Sequence, residues 1–235
     1  MPRLFFGCPV PPLDSLRRLA ASLRGVPGLG RVEPEPNWHV TVKFLGQVPD
    51  VRVDSLIEVA RLVAAGTSAA SVPLARVGVF PSRERPRVFW VGSPAAEVLA
   101  ELAAGLELAC AGLGWPRETR PFAPHVTLLR LRPPVPAEFW DLCDAWSATQ
   151  FGWLDVPELW LYESQPDRPG AGYRVLQRFP LAPPSSDAFR PPVPQVDVPQ
   201  ADVALADVAQ VDVARADAPG DDAAAEEAAE EGGRG

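Results

Sequence analysis

Apolar and polar positions alternate in an orderly way up to about Leu181 and lose that order afterwards. Arg3–Cys8 is a Leu- and Phe-rich run that reads as a buried strand. From Pro12 to Arg24, Leu13, Leu16, Leu19, Ala20 and Leu23 recur at helical spacing, and Gly25 stops the run. Gly28, Gly30, Pro34 and Pro36 predict a loop. A strand follows at His39–Leu45, then a helix to Ala65 with Asp50 as its cap and Leu56, Val59, Ala60 and Val63 on one face. Strands at Leu74–Phe80 and Val88–Val91 flank a loop bearing Arg83, Arg85 and Arg87. Ser93 and Pro94 open a helix to about Gly112. A strand at His125–Leu131, a helix from Pro136 to Trp146, and strands at Phe151–Val156, Glu158–Ser164 and Tyr173–Leu181 complete the body, with Asp167–Gly172 as a turn. The order predicts a mixed α/β fold.

Two of these strands are near copies. The chain has two histidines, His39 and His125, and each opens an identical H-V-T, although Thr occurs only at 41, 67, 119, 127 and 149. Residues i and i+2 of a strand point the same way. His39 with Thr41, and His125 with Thr127, therefore each offer an imidazole and a hydroxyl on one face. The motifs lie 125 − 39 = 86 residues apart, about half the body. That spacing suggests two similar lobes facing a common cleft. Strict alternation puts Lys43, the only lysine, on the His39 face, and turns Arg130 away from His125. Two imidazoles suit general acid–base catalysis, one accepting a proton while the other donates. An anionic centre with one oxygen entering and another leaving, as in a phosphodiester, matches that symmetry.

Charge separates body from end. Residues 1–182 hold 18 acidic and 19 basic side chains, and residues 183–235 hold 12 and 3, so the net −8 belongs to the tail and does not exclude an anionic ligand of the body. From Gln195 the tail runs in five-residue blocks (QVDVP, QADVA, LADVA, QVDVA, RADAP) and ends in acidic low-complexity sequence, which predicts disorder. Cys8, Cys110 and Cys143 form no C-x-x-C pair and suit a reducing compartment. With no signal-like or membrane-length apolar run, a cytoplasmic location without membrane attachment is expected. No acidic residue lies within two positions of either histidine, so a metal site is not expected; G-x-S-x-G and P-loop motifs are absent.

The pair H-V-T-V-K-F-L-G and P-H-V-T-L-L-R resembles the two-histidine (2H) phosphoesterase superfamily, and within it the RNA 2′,3′-cyclic phosphodiesterases, also called 2′-5′ RNA ligases. The resemblance extends over nearly all of residues 1–182, through R-L-F-F-G, R-P-R-V-F-W-V-G, R-P-F-x-P-H and Y-R-V-L-Q-R-F-P-L. It implies an α/β, bilobal fold, with two pseudo-twofold-related lobes of antiparallel-rich sheet and helices around a central cleft. It implies metal-independent opening of an RNA terminal 2′,3′-cyclic phosphate, or of a small nucleotide, to a 2′-phosphomonoester with no cofactor. His39 and His125 match the catalytic positions, and Thr41 and Thr127 the phosphate-binding hydroxyls. His39 is assigned as general acid and His125 as base, the near symmetry leaving the reverse open.

Other residues are candidate contacts. Lys43 and Arg130 are candidates to touch phosphate, and Phe44, Phe122 and Trp90 to stack a base, against rim or core roles for each. Arg83, Arg85 and Arg87 are candidates to guide an RNA backbone, against an ordinary exposed loop. The body at 1–182 is expected to act as a monomer. Alternative readings are a phosphodiesterase or ligase for other cyclic or 2′-5′ linked nucleotides, a non-catalytic RNA-end binder, and an interaction protein working through its tail.

Overall fold

The apolar runs form strands and helices that share one core. The computed structural model describes residues 1–165 and 172–184. The chain begins with β1 (Arg3–Pro9), buried from Leu4 to Cys8, and α1 (Asp14–Arg24), which buries Leu16, Leu19, Ala20 and Leu23 on one face. Then come β2 (Gly30–Val32), β3 (His39–Gln47), α2 (Val53–Gly66), β4 (Ala70–Phe80), β5 (Val88–Gly92) and α3 (Glu97–Gly112). The remaining elements are β6 (His125–Leu131), α4 (Ala137–Trp146), β7 (Gln150–Val156), β8 (Glu158–Ser164) and β9 (Tyr173–Pro180). Phe6, Phe89, Phe139, Leu56, Leu74 and Leu102 are fully buried; each such side chain contributes about 2 kcal/mol of transfer free energy.

Three local expectations are corrected. The stretch read as loop contains β2, because Gly30 adopts φ 135° and a Cβ there would lie 2.1 Å from the Arg130 carbonyl oxygen. Only glycine lets this short strand dock on β6. Asp50 does not cap α2: it begins a 3-10 turn at Asp50–Arg52, and the helix starts at Val53 without a side-chain cap. Nor does Ser93 open α3. Its hydroxyl donates to the Pro73 carbonyl (2.7 Å), pinning the end of β5 to β4, and the helix starts at Glu97.

The strands pair antiparallel in the order β7-β4-β5-β6-β3-β1-β8-β9, with β2 added on β6. One half of the sheet is β1, β3, β8 and β9; the other is β4 to β7. A single antiparallel bridge, Val40 to Val126, joins them. Around it β3 corresponds to β6, β1 to β5 and β8 to β4, which is the bilobal, mixed α/β arrangement that the repeated motif implied. α3 packs across on α2 and β3, and Gly105 permits that closeness, since a Cβ there would sit 2.8 Å from Val63 Cγ1. After β9, Ala182 bridges to Ser68 and donates to the Thr67 carbonyl. The acidic repeats from Gln195, and all but Gly172 of the turn expected at Asp167–Gly172, lie outside the described residues. No helix among the described residues is long and apolar enough to cross a membrane.

Candidate active site

Because β3 and β6 meet antiparallel at Val40 and Val126, the residues on either side of the bridge converge. His39 and Thr41 of β3 line one cavity together with His125, Thr127 and Arg130 of β6, Glu33 and Asn37 of the loop after β2, and Tyr173 of β9. All four H-V-T histidines and threonines thus share one site.

The two imidazoles are held alike. His39 Nδ1 donates to the Asn37 carbonyl (2.7 Å) and His125 Nδ1 to the Ala123 carbonyl (2.8 Å), each two residues earlier in the chain. A carbonyl can only accept, so the proton sits on Nδ1 in both neutral rings and the ring lone pair lies on Nε2. His39 Nε2 lies 3.1 Å from Thr41 Oγ1. Aromatic walls fix the ring planes. Phe5 and Tyr173 each stand 4.9 Å from the His39 ring, with Tyr162 at 5.5 Å. Phe80 (4.9 Å) and Trp90 (6.3 Å) flank His125. Burial pushes the Tyr162 hydroxyl well above the usual phenol range, so it stays protonated.

The walls differ by an exchange across the pseudo-twofold. On β1, Gly7 pairs with Trp160 of β8; on β5, Trp90 pairs with Gly78 of β4. Gly7 makes room at His39: a Cβ there would lie 2.8 Å from the Val40 carbonyl oxygen and 3.4 Å from His39 Cδ2. Gly78 makes room for the Trp90 ring, which a Cβ would meet at 2.3 Å.

Both motif strands bulge one residue after the threonine. Between β1 and β3 the register skips Val42, and between β5 and β6 it skips Leu128. An extra residue in one strand reverses the alternation beyond it. That bulge corrects two expectations in opposite senses. Lys43 turns away from the cavity, 5% exposed, and its Nζ pairs with Glu107 of α3 (2.8 Å) and donates to the Pro116 carbonyl (3.2 Å). Arg130 turns toward the cavity, where its Nε donates to Glu33 Oε1 (2.7 Å) and Nη2 to the Tyr173 hydroxyl (3.4 Å).

The remaining candidates lie outside the cavity lining. Phe44 is opposite Phe5 in register, hence on the His39 side, half-buried under the Arg3 guanidinium (4.9 Å). Phe122 packs partly buried on the core. Arg83 pairs with Asp144 of α4 (3.2 Å) and stands over Trp140 (4.7 Å), while Arg85 and Arg87 are exposed. Glu33, Asn37 and Tyr173 are lining residues that sequence reasoning missed. For Tyr173 a signal existed: the chain has two tyrosines, and both stand beside His39. Glu33 and Asn37 lie in a Pro-broken stretch with no periodicity to mark them. Among the described residues, no three His, Cys, Asp or Glu side chains gather to hold a metal ion. Cys8, Cys110 and Cys143 are free and buried.

Comparison with known proteins places this geometry. The family described as LigT like Phosphoesterase matches twice, over residues 6–90 and 91–173, one match for each motif. The RNA 2′,3′-cyclic phosphodiesterase of Geobacillus stearothermophilus is 35% identical over 150 residues, covering 63% of this chain but only 46% of that relative's length. The RNA 2′,3′-cyclic phosphodiesterase of Archaeoglobus fulgidus is 32% identical over 166 residues, covering 71% of this chain and 92% of the relative. The crystal structure of E. coli LigT complexed with 3′-AMP superposes with a TM-score of 0.59 at 28% identity, over 77% of this chain and 98% of that one. With both halves matched and both motifs at one cavity, the chain belongs to the LigT-like family of two-histidine phosphoesterases.

Proposed function

We propose that this protein hydrolyses the terminal 2′,3′-cyclic phosphate of RNA to a 2′-phosphomonoester, by two-histidine general acid–base catalysis without a metal ion. The observation that carries the reading is the matched anchoring of His39 and His125, each with Nδ1 bound to the carbonyl two residues back and both lining one cavity. Two proton-exchanging Nε2 atoms then face one phosphate from opposite lobes. Neutral His125 takes a proton from water as its oxygen forms the new bond to phosphorus. The bond from phosphorus to O3′ breaks, and protonated His39 gives its proton to that departing oxygen. The products are a 3′-hydroxyl and a 2′-phosphomonoester, and the histidines have exchanged protonation states. Thr41 and Thr127 donate hydrogen bonds to the non-bridging oxygens, whose charge grows in the transition state. The names of the relatives support the RNA end as substrate.

A specific observation favours a second substrate class. E. coli LigT was crystallised with 3′-AMP, a mononucleotide, so small cyclic or 2′-5′ linked nucleotides are the second reading, with the same histidines in the same roles. Residues 1–182 form the catalytic unit and act as a monomer, with His39, Thr41, His125 and Thr127 all lining one cavity of this body. Three buried free thiols suit the reducing cytoplasm. The test is a short RNA ending in a 2′,3′-cyclic phosphate, incubated with the protein in excess EDTA, with the product resolved as 2′- or 3′-phosphate. A 2′-phosphate formed by the wild type and by a variant lacking residues 183–235, and lost in His39→Ala and His125→Ala, is the expected result. Dependence on added metal, a 3′-phosphate product, or RNA binding without turnover would overturn the proposal.

A further inference from the structure

We propose that Glu33 sets the charge selectivity of the cleft: it offsets Arg130 so that a singly charged phosphodiester is accepted and the doubly charged phosphomonoester formed from it is released. This rests on the reaction proposed above. Opening a cyclic phosphate changes the ligand while it is bound. The diester carries one negative charge, whereas a phosphomonoester, with its second ionisation near about pH 6, approaches two at neutral pH. A strongly cationic site would hold the product more tightly than the substrate.

The cavity has a device against that outcome. Arg130 is the one Lys or Arg among the described residues that line it, and it does not stand alone. The Glu33 carboxylate, its side chain 4% exposed, accepts from Arg130 Nε at 2.7 Å. Placing a carboxylate inside a site built for anions is unfavourable for ligand attraction and costly in desolvation, so its presence calls for a role. The backbone fixes it there. Glu33 N donates to the carbonyl of Leu128, the bulged residue of β6, and the Trp38 indole donates to the Glu33 carbonyl. Asn37 Nδ2 lies 3.5 Å from the other carboxylate oxygen. The same bulge that turns Arg130 into the cavity thus supplies the acceptor that positions its counter-charge. Arg31 also pairs with Glu33 (3.0 Å), but its side chain is 65% exposed, where solvent screens it. Across the pseudo-twofold the position of Arg130 is taken by Phe44, so this charge pair exists at one end of the cleft only.

The experiment uses adenosine 2′,3′-cyclic phosphate as substrate and 2′-AMP as the product probe, at pH 7.5 and low salt. For the wild type, the inhibition constant of 2′-AMP is expected at or above KM. Glu33→Gln keeps an oxygen to accept from Arg130 and removes only the charge. It should tighten 2′-AMP relative to KM by about tenfold or more, with kcat falling as product release slows. In an Arg130→Gln background both ligands should bind more weakly, and the same change should still shift the ratio toward 2′-AMP, because the repulsion between the Glu33 charge and the second phosphate charge does not depend on Arg130. Structural damage would weaken both ligands, so tighter product binding separates selectivity from mere disruption. An unchanged ratio in Glu33→Gln would overturn the proposal. So would a wild-type inhibition constant about tenfold below KM, a result that decides even if the variant fails to fold. Absence of turnover in the wild type would refute the reaction proposed above, while calorimetric titration of 2′-AMP into both proteins would still report on Glu33.

Discussion

Lys43 provides the sharpest contrast between a binding role and a structural one. Its ammonium is buried under β3, paired with Glu107 at 2.8 Å, with side chains 4% and 17% exposed. It also holds the Pro116 carbonyl (3.2 Å), in the segment that leads from α3 to the second motif strand. Lys43→Met removes the charge but keeps most of the stem. Removing one partner of a buried ion pair costs about 3–5 kcal/mol, because the other charge is left uncompensated. Glu107 keeps the backbone N–H of Glu118 (3.0 Å) and some solvent, which favours the lower end, about 3 kcal/mol. In a body of this size that corresponds to a fall of roughly 6–12 °C in Tm. Urea denaturation followed by tryptophan fluorescence would measure it, with KM for a cyclic phosphate determined well below the transition. The double variant Lys43→Met with Glu107→Leu should recover much of the loss, since a well-packed apolar pair can replace a buried ion pair at little cost. The reasoning is refuted if Lys43→Met is as stable as wild type within about 1 kcal/mol and yet raises KM sharply, the signature of a phosphate contact.

The other predictions concern the walls, the hydroxyls and the thiols. Gly7→Ala puts a methyl 2.8 Å from the rigid Val40 carbonyl oxygen and against His39; it should destabilise by about 1–3 kcal/mol and reduce kcat, as thermal melts and turnover would record. Thr41→Val and Thr127→Val keep the strand shape and lose one hydrogen bond to a charged group, worth about 1.5–3 kcal/mol, so kcat/KM should fall roughly ten- to a hundredfold with Tm nearly constant. Burial pushes the Cys8 thiol up to about 12 and the Cys110 thiol up to about 11, from 9.0. Their unfolded forms ionise first as pH rises. The stability they contribute is full below about pH 9 and is lost between there and their folded values, at about 1.4 kcal/mol per pH unit per thiol. Urea midpoints that stay level from pH 8 to 11 would contradict this.

The motif strands were legible because their period of two survives through the threonine. His39, Thr41, His125 and Thr127 meet at one cavity as alternation implied. Beyond the threonine, alternation fails at the same place in both copies. A bulge inserts a residue without changing the composition, and nothing in V-K-F or L-L-R marks Val42 and Leu128 as the extra ones. That is why Lys43 and Arg130 exchange the faces that alternation gave them. Glu33 was illegible for another reason. It reaches the cavity only because β2 docks on β6, and that docking depends on the backbone angle of Gly30. Glycine in a Pro-rich stretch signals a turn as readily as a close approach. The pairing of Lys43 with Glu107, 107 − 43 = 64 residues apart, is likewise set by how α3 crosses onto β3, which no local pattern encodes.

The central claim is that both imidazoles move protons, one in each direction. The pH dependence of kcat/KM for a 2′,3′-cyclic phosphate, measured in EDTA on the wild type, His39→Ala and His125→Ala, tests it most directly. The account predicts a bell with one acidic and one basic limb for the wild type, and loss of at least about a hundredfold in rate in each variant. A profile with a single limb, or a variant of either histidine that retains wild-type turnover, would contradict it.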